Sequence, residues 1–230
     1  MHAIDPGPLS NKLLAALPSK DYQLLLPHLA SLQLPQGEVL YEAGTEVDQV
    51  YFPLSGMISL LFVMRDGNAI ETATVGREGA VGAMSGHGLH TSKVRAVVQL
   101  PTSASKISST ALRKVVKASK PVADLCMNYN EVLLSHARIT AACNALHKVE
   151  PRFCRWLLQT RDRAESDTFS LTQEFLAEML GVRRTSVTEV AQNVQASGAI
   201  SYSRGVIRII DLEKLSAMSC ECYQTLSEET

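Results

Sequence analysis

The spacing of apolar residues changes twice along the chain, and the two changes divide it into three parts. In the first part, short β-rich pieces (Glu38–Tyr41, Gln49–Phe52 and Met57–Val63) alternate with turn residues. Nine of the 13 glycines lie between Gly37 and Gly88, and Gly37, Gly44, Gly56, Gly67 and Gly76 recur every seven to twelve residues. Short strands at regular spacing predict an antiparallel sandwich or barrel. Asp66-Gly67-Asn68 is suited to a hairpin turn, because Asp and Gly tolerate positive φ. A later strand pair is expected at Val94–Leu100 and Ala104–Ser108, giving a small β-roll over roughly residues 20–112.

At Pro121 the period becomes helical, and Pro suits a helix start because its missing N–H would be unpaired there. Val122, Leu125, Tyr129, Val132, His136, Ile139, Cys143 and Leu146 follow a 3-4-3-4-3-4-3 spacing. Such a line of heptad a and d positions describes a helix that seeks a partner along one seam. Cys126, Leu133 and Ala137 form a second apolar line suited to pack back on the roll. The expected partner is the same helix of a second copy; the alternative is a two-faced core helix inside one domain. In a parallel pair His136 and Cys143 would each meet their own copy. Protonation or oxidation there would alter pairing, or the two residues simply set register.

The last third opens with an amphipathic helix, Glu150–Arg163, whose inner side carries Phe153, Trp156, Leu157 and Leu158. Ser166–Ser170 reads as polar punctuation. In Leu171–Val190, Leu176, Leu180, Val182, Val187 and Val190 can face one small core, and Ala177 lets two helices approach. Gly181 stands where a left-handed residue ends the first helix. The pattern predicts a helix-turn-helix. Its outward residues at the start of the second helix are Arg183, Arg184, Thr185, Ser186, Thr188 and Glu189. Arg pairs bidentately with guanine, Thr touches a thymine methyl and Glu accepts from cytosine. Thr172 and Gln173 are placed to meet a phosphate. Ile200–Ile210 then alternates like a two-stranded wing turning at Arg204-Gly205, with Arg204 and Arg208 available to phosphates. The competing reading, a three-helix bundle with a polar outer helix, leaves the combination of Ala177, Gly181 and the wing unexplained.

Composition narrows the class. The chain has 230 residues, 46% of them hydrophobic and 20% charged, too apolar for a disordered protein. Its apolar runs fall far short of the ~18–20 residues that span a bilayer, and the N-terminal stretch lacks the basic start of a signal peptide. Five scattered Cys argue against a secreted disulfide framework. A soluble, cytoplasmic protein is expected. Lys and Arg number 22 against 23 Asp and Glu, and residues 149–215 carry nine of each. Bulk charge therefore does not announce nucleic-acid binding; the local arrangement does.

Thr172-Gln-Glu-Phe-Leu-Ala-Glu-Met-Leu-Gly-Val-Arg-Arg-Thr-Ser-Val187, behind a β-roll and a long seam helix, resembles the Crp/Fnr family of bacterial transcription regulators. Leu34–Gly44 and Val50–Gly56 are similar to the opening of that family's cyclic-nucleotide-binding-like domain. The resemblance implies an α+β chain with a jelly-roll-like, double-stranded β-helix sensor domain over residues 15–120. It implies a dimerisation helix over 121–147 and a winged helix-turn-helix over 148–216; beyond them the charge count, three acidic residues and no basic one, makes 217–230 an acidic tail. The implied activity is sequence-specific regulation of transcription by a homodimer on a near-palindromic operator, with half-sites ~34–36 Å apart. Double-stranded DNA, RNA polymerase and a small-molecule effector are the implied partners. The recognition helix departs from that of the cyclic-AMP receptor protein, which has an Arg-Glu pair and a later Arg where this chain has Arg184-Thr185 and Glu189. A different operator preference is expected.

Family members that bind cyclic nucleotides use a Gly-Glu pair for the ribose and an Arg with a hydroxyl neighbour for the phosphate. Here Gly82 is followed by Ala83, and the nearby Arg95 is displaced and followed by Ala96. Gly79, Gly82, Ala83, Arg95 and Ala96 are the candidate effector-pocket residues, and cAMP is not the expected ligand, because its phosphate would lose charge-assisted bonds. No Cys precedes Cys126, unlike the iron–sulfur branch of the family. His87-x-x-His90 has the spacing of a metal half-site and equally of a solvated Gly-rich loop. Cys220-Glu221-Cys222 offers thiols to a metal or an oxidant, or is an ordinary terminus. No metal and no cofactor are assigned. No catalytic motif is present, so an enzyme is not expected. The rival reading is a sensing or interaction module whose winged domain docks a protein.

Overall fold

The computed structural model describes residues 7–88 and 91–228. The first six residues of the N-terminal stretch and the last two of the tail lie outside them. The described residues form α1 (Lys12–Ala15), α2 (Ser19–Leu25), β1 (Ala30–Leu34), β2 (Val39–Tyr41), β3 (Gln49–Pro53), β4 (Met57–Val63), β5 (Ala69–Val75), β6 (Arg95–Leu100) and β7 (Thr102–Ser108). There follow α3 (Ser109–Ala118), α4 (Lys120–Leu146), α5 (Val149–Ala164), β8 (Thr168–Ser170), α6 (Gln173–Leu180) and α7 (Arg184–Ala196). The chain closes with β9 (Ile200–Ser203), β10 (Val206–Ile209), α8 (Leu212–Met218) and α9 (Cys222–Glu228). Two compact units result, one of residues up to Leu60 with Thr74–Leu134, the other of Leu61–Ala73 with the residues from Ser135 onward.

Strands β1–β7 form the expected β-roll. One sheet runs β1-β7-β3, with antiparallel pairs such as Leu32↔Ala104 and Tyr51↔Lys106. A second sheet runs β2-β6-β4-β5. Val50, Met57, Ile58, Val98 and Ile107 are buried, and β3, β4 and β6 are buried on both faces over most of their length. The hairpin at Asp66-Gly67-Asn68 closes as its composition predicts. Gly67 has φ +89°, and the Asp66 carboxylate accepts from the Asn68 N–H at 3.1 Å. Helix α4 begins with Pro121 in its first turn, and Ser119 Oγ accepts from the Val122 N–H at 3.2 Å. The short helices α1–α3 were not evident in the hydrophobic period, since three turns or fewer carry little of it.

The second unit holds the helix-turn-helix and its wing. Phe153, Trp156, Leu157 and Leu158 of α5 are all buried, as the amphipathic pattern predicts. The single Trp156 donates its indole N–H to Glu71 at 2.9 Å. Ser166–Ser170 is more than punctuation: Thr168–Ser170 forms β8, which pairs with β10 and turns the two-stranded wing into a three-stranded sheet. Phe169 is its buried residue. The acidic tail contains helix α9, anchored by buried Cys222 and Leu226.

Candidate functional site

The two helices α6 and α7 are set by local chemistry. Thr172 caps α6, its Oγ1 accepting from the Phe175 N–H at 3.2 Å. Gly181 ends it at φ +62°, ψ +40°, and its N–H bonds back to Glu178. A Cβ on Gly181 would stand 2.5 Å from Cδ1 of Ile70, so space as well as φ favours glycine. Arg183 has extended φ and ψ and leads into α7. Leu176, Leu180, Val187 and Val190 are buried between the helices, while Val182 is only half-buried.

Arg183, Arg184, Thr185 and Glu189 are exposed on the first turns of α7, and Ser186 and Thr188 are half-buried. The Thr188 hydroxyl lies 2.9 Å from Gln173 Oε1 and 3.1 Å from the Arg184 carbonyl, so its one proton is shared between them. The wing turn places both Arg204 (φ +51°) and Gly205 (φ +76°) in the left-handed region, the geometry of a tight two-residue hairpin. Tyr202 braces that wing by donating its hydroxyl to the Leu171 carbonyl at 2.9 Å. Thr172, Gln173, Arg184 and Arg204 thus line one open hollow of about 440 Å³. Arg208 is exposed on β10 but does not line it. The N-terminal end of α7 adds its partial positive charge to these guanidiniums.

In the first unit a cavity of about 240 Å³ is lined by Gly82, Ala83, Ser85, Lys93, Cys126 and Tyr129 among others. Gly82 and Ala83 of the candidate effector pocket line it, whereas Gly79, Arg95 and Ala96 do not. Gly79 packs under Tyr129, where a Cβ would meet the phenol oxygen at 1.8 Å. Arg95 turns away to pair with Glu42 at 2.8 Å, and Ala96 is wholly buried. Lys93, in the bend two residues before Arg95, is the cation that lines this cavity. His87 Nε2 lies 3.2 Å from the Ala123 carbonyl, and His90 lies outside the described residues.

Along α4, Val122, Tyr129, His136 and Cys143 are buried within their own chain. Leu125, Val132 and Ile139 are half-buried, and Leu146 is exposed. The open strip lies on the opposite side, where Met127, Leu134 and Ala141 repeat every seven residues with Glu131, Arg138 and Ala145 beside them. Both lines share the heptad spacing, and spacing alone does not say which is covered by the chain itself.

At the end of α4, the second unit gathers Cys143, His147, Cys220 and Cys222, whose ligand atoms all lie within 4.8 Å of one another. The spacing puts Cys143 on the seam line, while Cys220-Glu221-Cys222 in the tail offers thiols to a metal or an oxidant or is an ordinary terminus. His147 carried no signal in the sequence beyond its i, i+4 relation to Cys143. Cys143 is held down to about 5, chiefly by the hydrogen bond from Cys220, with the Arg155 guanidinium, His147 and Cys222 adding against burial. Cys220 is pushed up because it shares its proton with Cys143. Cys126 and Cys154, by contrast, are raised to about 11 and about 12 by burial and are ordinary core thiols.

Comparison with known proteins agrees with this architecture. Residues 31–119 match the family described as cyclic nucleotide-binding domain, and residues 151–218 match the Crp-like helix-turn-helix domain. No curated protein is similar enough in sequence to count as a relative. Among solved structures, FixK2 from Bradyrhizobium japonicum superposes with a TM-score of 0.71 at 17% identity, covering 84% of this chain and 98% of that one. A Crp/Fnr-family regulator from Eubacterium rectale gives 0.69 at 18% identity, covering 94% and 99%. CLP of Xanthomonas campestris, a c-di-GMP-responsive global regulator, gives 0.68 at 17%, covering 84% and 99%. Among the described residues no helix is long and apolar enough to cross a membrane. A cyclic-nucleotide-binding-type β-roll followed by a long helix and a Crp-like winged helix-turn-helix makes this chain a DNA-binding transcription regulator of the Crp/Fnr family.

Proposed function

We propose that the protein works as a homodimer on a near-palindromic operator and regulates transcription in response to a signal other than cAMP. The observation that carries this reading is the hollow shared by Arg184 of α7, Arg204 of the wing and the capped start of α6. Arg183, Arg184, Thr185 and Glu189 present donors, a methyl group and an acceptor toward base edges. Thr172, Gln173, Arg204 and Arg208 contact the phosphate backbone. Ser186 and Thr188 are half-buried, and Thr188 serves mainly to position Gln173. The exposed strip Met127–Leu134–Ala141 of α4 pairs with its copy, with Glu131 and Arg138 setting register. RNA polymerase is the downstream partner that this activity requires.

The signal reading rests on the roll. Ala83 offers no carboxylate beside Gly82, and the cavity of about 240 Å³ is smaller than the ~300–1,000 Å³ usual for ligand sites. Lys93 leaves room for one anionic group on a small effector. A protein-docking role for the winged domain is the second reading, favoured by the nine basic and nine acidic residues of 149–215.

The deciding experiment is selection of random-sequence DNA by the purified protein, alone and with candidate effectors that include cyclic mononucleotides and cyclic dinucleotides. A two-fold symmetric motif, bound with log K falling steeply against log salt, supports the proposal. Absence of any motif together with salt-insensitive binding to a protein overturns it in favour of docking.

A further inference from the structure

We propose that Cys143, His147, Cys220 and Cys222 form a four-ligand site for one tetrahedral divalent metal ion of the zinc type. The ion would fasten the C-terminal segment to the end of α4. Three thiols and an imidazole drawn from segments more than 70 residues apart meet in one place, with all donor atoms within 4.8 Å of one another. Ligands at about 2.0–2.3 Å from a tetrahedral zinc stand about 3.3–3.8 Å apart along the edges of the tetrahedron. Two of those edges are already present. Cys143 Sγ lies 3.5 Å from Cys220 Sγ, and Cys222 Sγ lies 3.7 Å from His147 Nδ1.

The surroundings fit the same ion. The three sulfurs are buried, with Ile139 packed against them, so a four-coordinate site would be closed to water. His147 turns Nδ1 to the thiols and Nε2 to the Glu221 carboxylate at 3.2 Å. An imidazole that ligates through one nitrogen and donates its other N–H to a carboxylate is the arrangement that fixes its tautomer in metal sites. Three thiolates around a divalent cation leave one negative charge. Arg155, buried on α5, donates one N–H to Gln159, and its Nε has no hydrogen-bond partner among the described residues. A buried guanidinium needs such a counter-charge. On binding, whichever of the three sulfurs is still protonated releases its proton to solvent. A cluster of several irons suits the site less, because its ligands bind different irons and stand farther apart than these do.

The test uses the full-length chain purified reduced under argon in buffer containing zinc, then freed of unbound metal and assayed by mass spectrometry for metal per chain. About one zinc per chain is expected, and cobalt(II) replacement should give the intense visible bands of tetrahedral thiolate coordination. Cys222→Ser and His147→Ala should each lower zinc occupancy at least about tenfold after mild chelation, since loss even of an outer-shell partner costs 10–100-fold in affinity and a direct ligand is worth at least as much. Cys154→Ser, away from the site, should keep it. If a variant fails to fold, the wild-type cobalt spectrum still decides. Metal-free protein after reconstitution, octahedral cobalt, or zinc retained in Cys222→Ser would each overturn the proposal. So would reduced protein that binds no metal and loses two of its five free thiols on mild oxidation, which would assign the pair Cys143 and Cys220 to a disulfide instead.

Discussion

Gln173 at the start of α6 and Thr188 in the second turn of α7 are joined by a 2.9 Å hydrogen bond, Oγ1 to Oε1. The two helices of the helix-turn-helix are thereby tied by polar side chains as well as by the buried contact around Leu176 and Val187. Removing this tie should loosen Gln173 without unfolding the domain. Thr188→Val is expected to weaken operator binding by about 0.5–1.5 kcal/mol, the net worth of one such bond, while the melting temperature moves little. Titration of labelled operator alongside thermal melting checks both parts.

Arg184 and Arg204 line the same hollow but should act differently. Arg184→Ala should cost about 1–3 kcal/mol on the preferred sequence and relax preference at one base pair, as loss of a base-reading Arg does. Arg204→Ala should weaken all sequences alike and lower the salt slope by about one. Equal losses on specific and random DNA for both variants would refute this division of roles.

Gly79 belongs to the packing of the roll rather than to its ligand site. A methyl group there would overlap the Tyr129 ring, a side chain that is itself buried. Gly79→Ala should therefore destabilise the protein by about 1–3 kcal/mol, the usual cost of overpacking. Chemical denaturation measures it, and an unchanged midpoint would show that the ring moves aside freely.

Arg95 and Lys93 make a paired contrast. The Arg95–Glu42 ion pair is exposed, so Arg95→Ala should change stability by no more than about 1 kcal/mol and leave any anionic effector bound. Lys93→Ala should weaken such an effector, because Lys93 lines the cavity. Calorimetry with the effector found by selection distinguishes the two residues.

The exposed strip of α4 predicts the dimer. Leu134, 40% exposed, lies at its middle, and Leu134→Glu should shift the protein toward monomer by placing two carboxylates against each other. His136→Gln, on the buried side, should leave association unchanged. Light scattering over a concentration series reads both, and a dimer insensitive to Leu134→Glu would put the interface elsewhere.

What the sequence determined by itself is whatever depends on neighbours along the chain. Gly181 had to end α6 because its left-handed φ is available to glycine, Thr172 had to cap it, and Arg204-Gly205 had to turn the wing. The strands around Gly67 were legible because alternation and turn chemistry act over a few residues. Only the tertiary structure decided matters of choice between equivalent local patterns. Two heptad lines run along α4, and packing buried the one through Tyr129 and Cys143 while leaving Leu134 open. Arg95 and Lys93 are both cations on one strand's approach, and the position of Glu42 took Arg95 away from the cavity. His147 and Cys222 lie 75 residues apart, and no period relates them. Their meeting is a property of how α4, α5 and the last helices pack, which is why the thiol cluster emerges from coordinates and not from spacing.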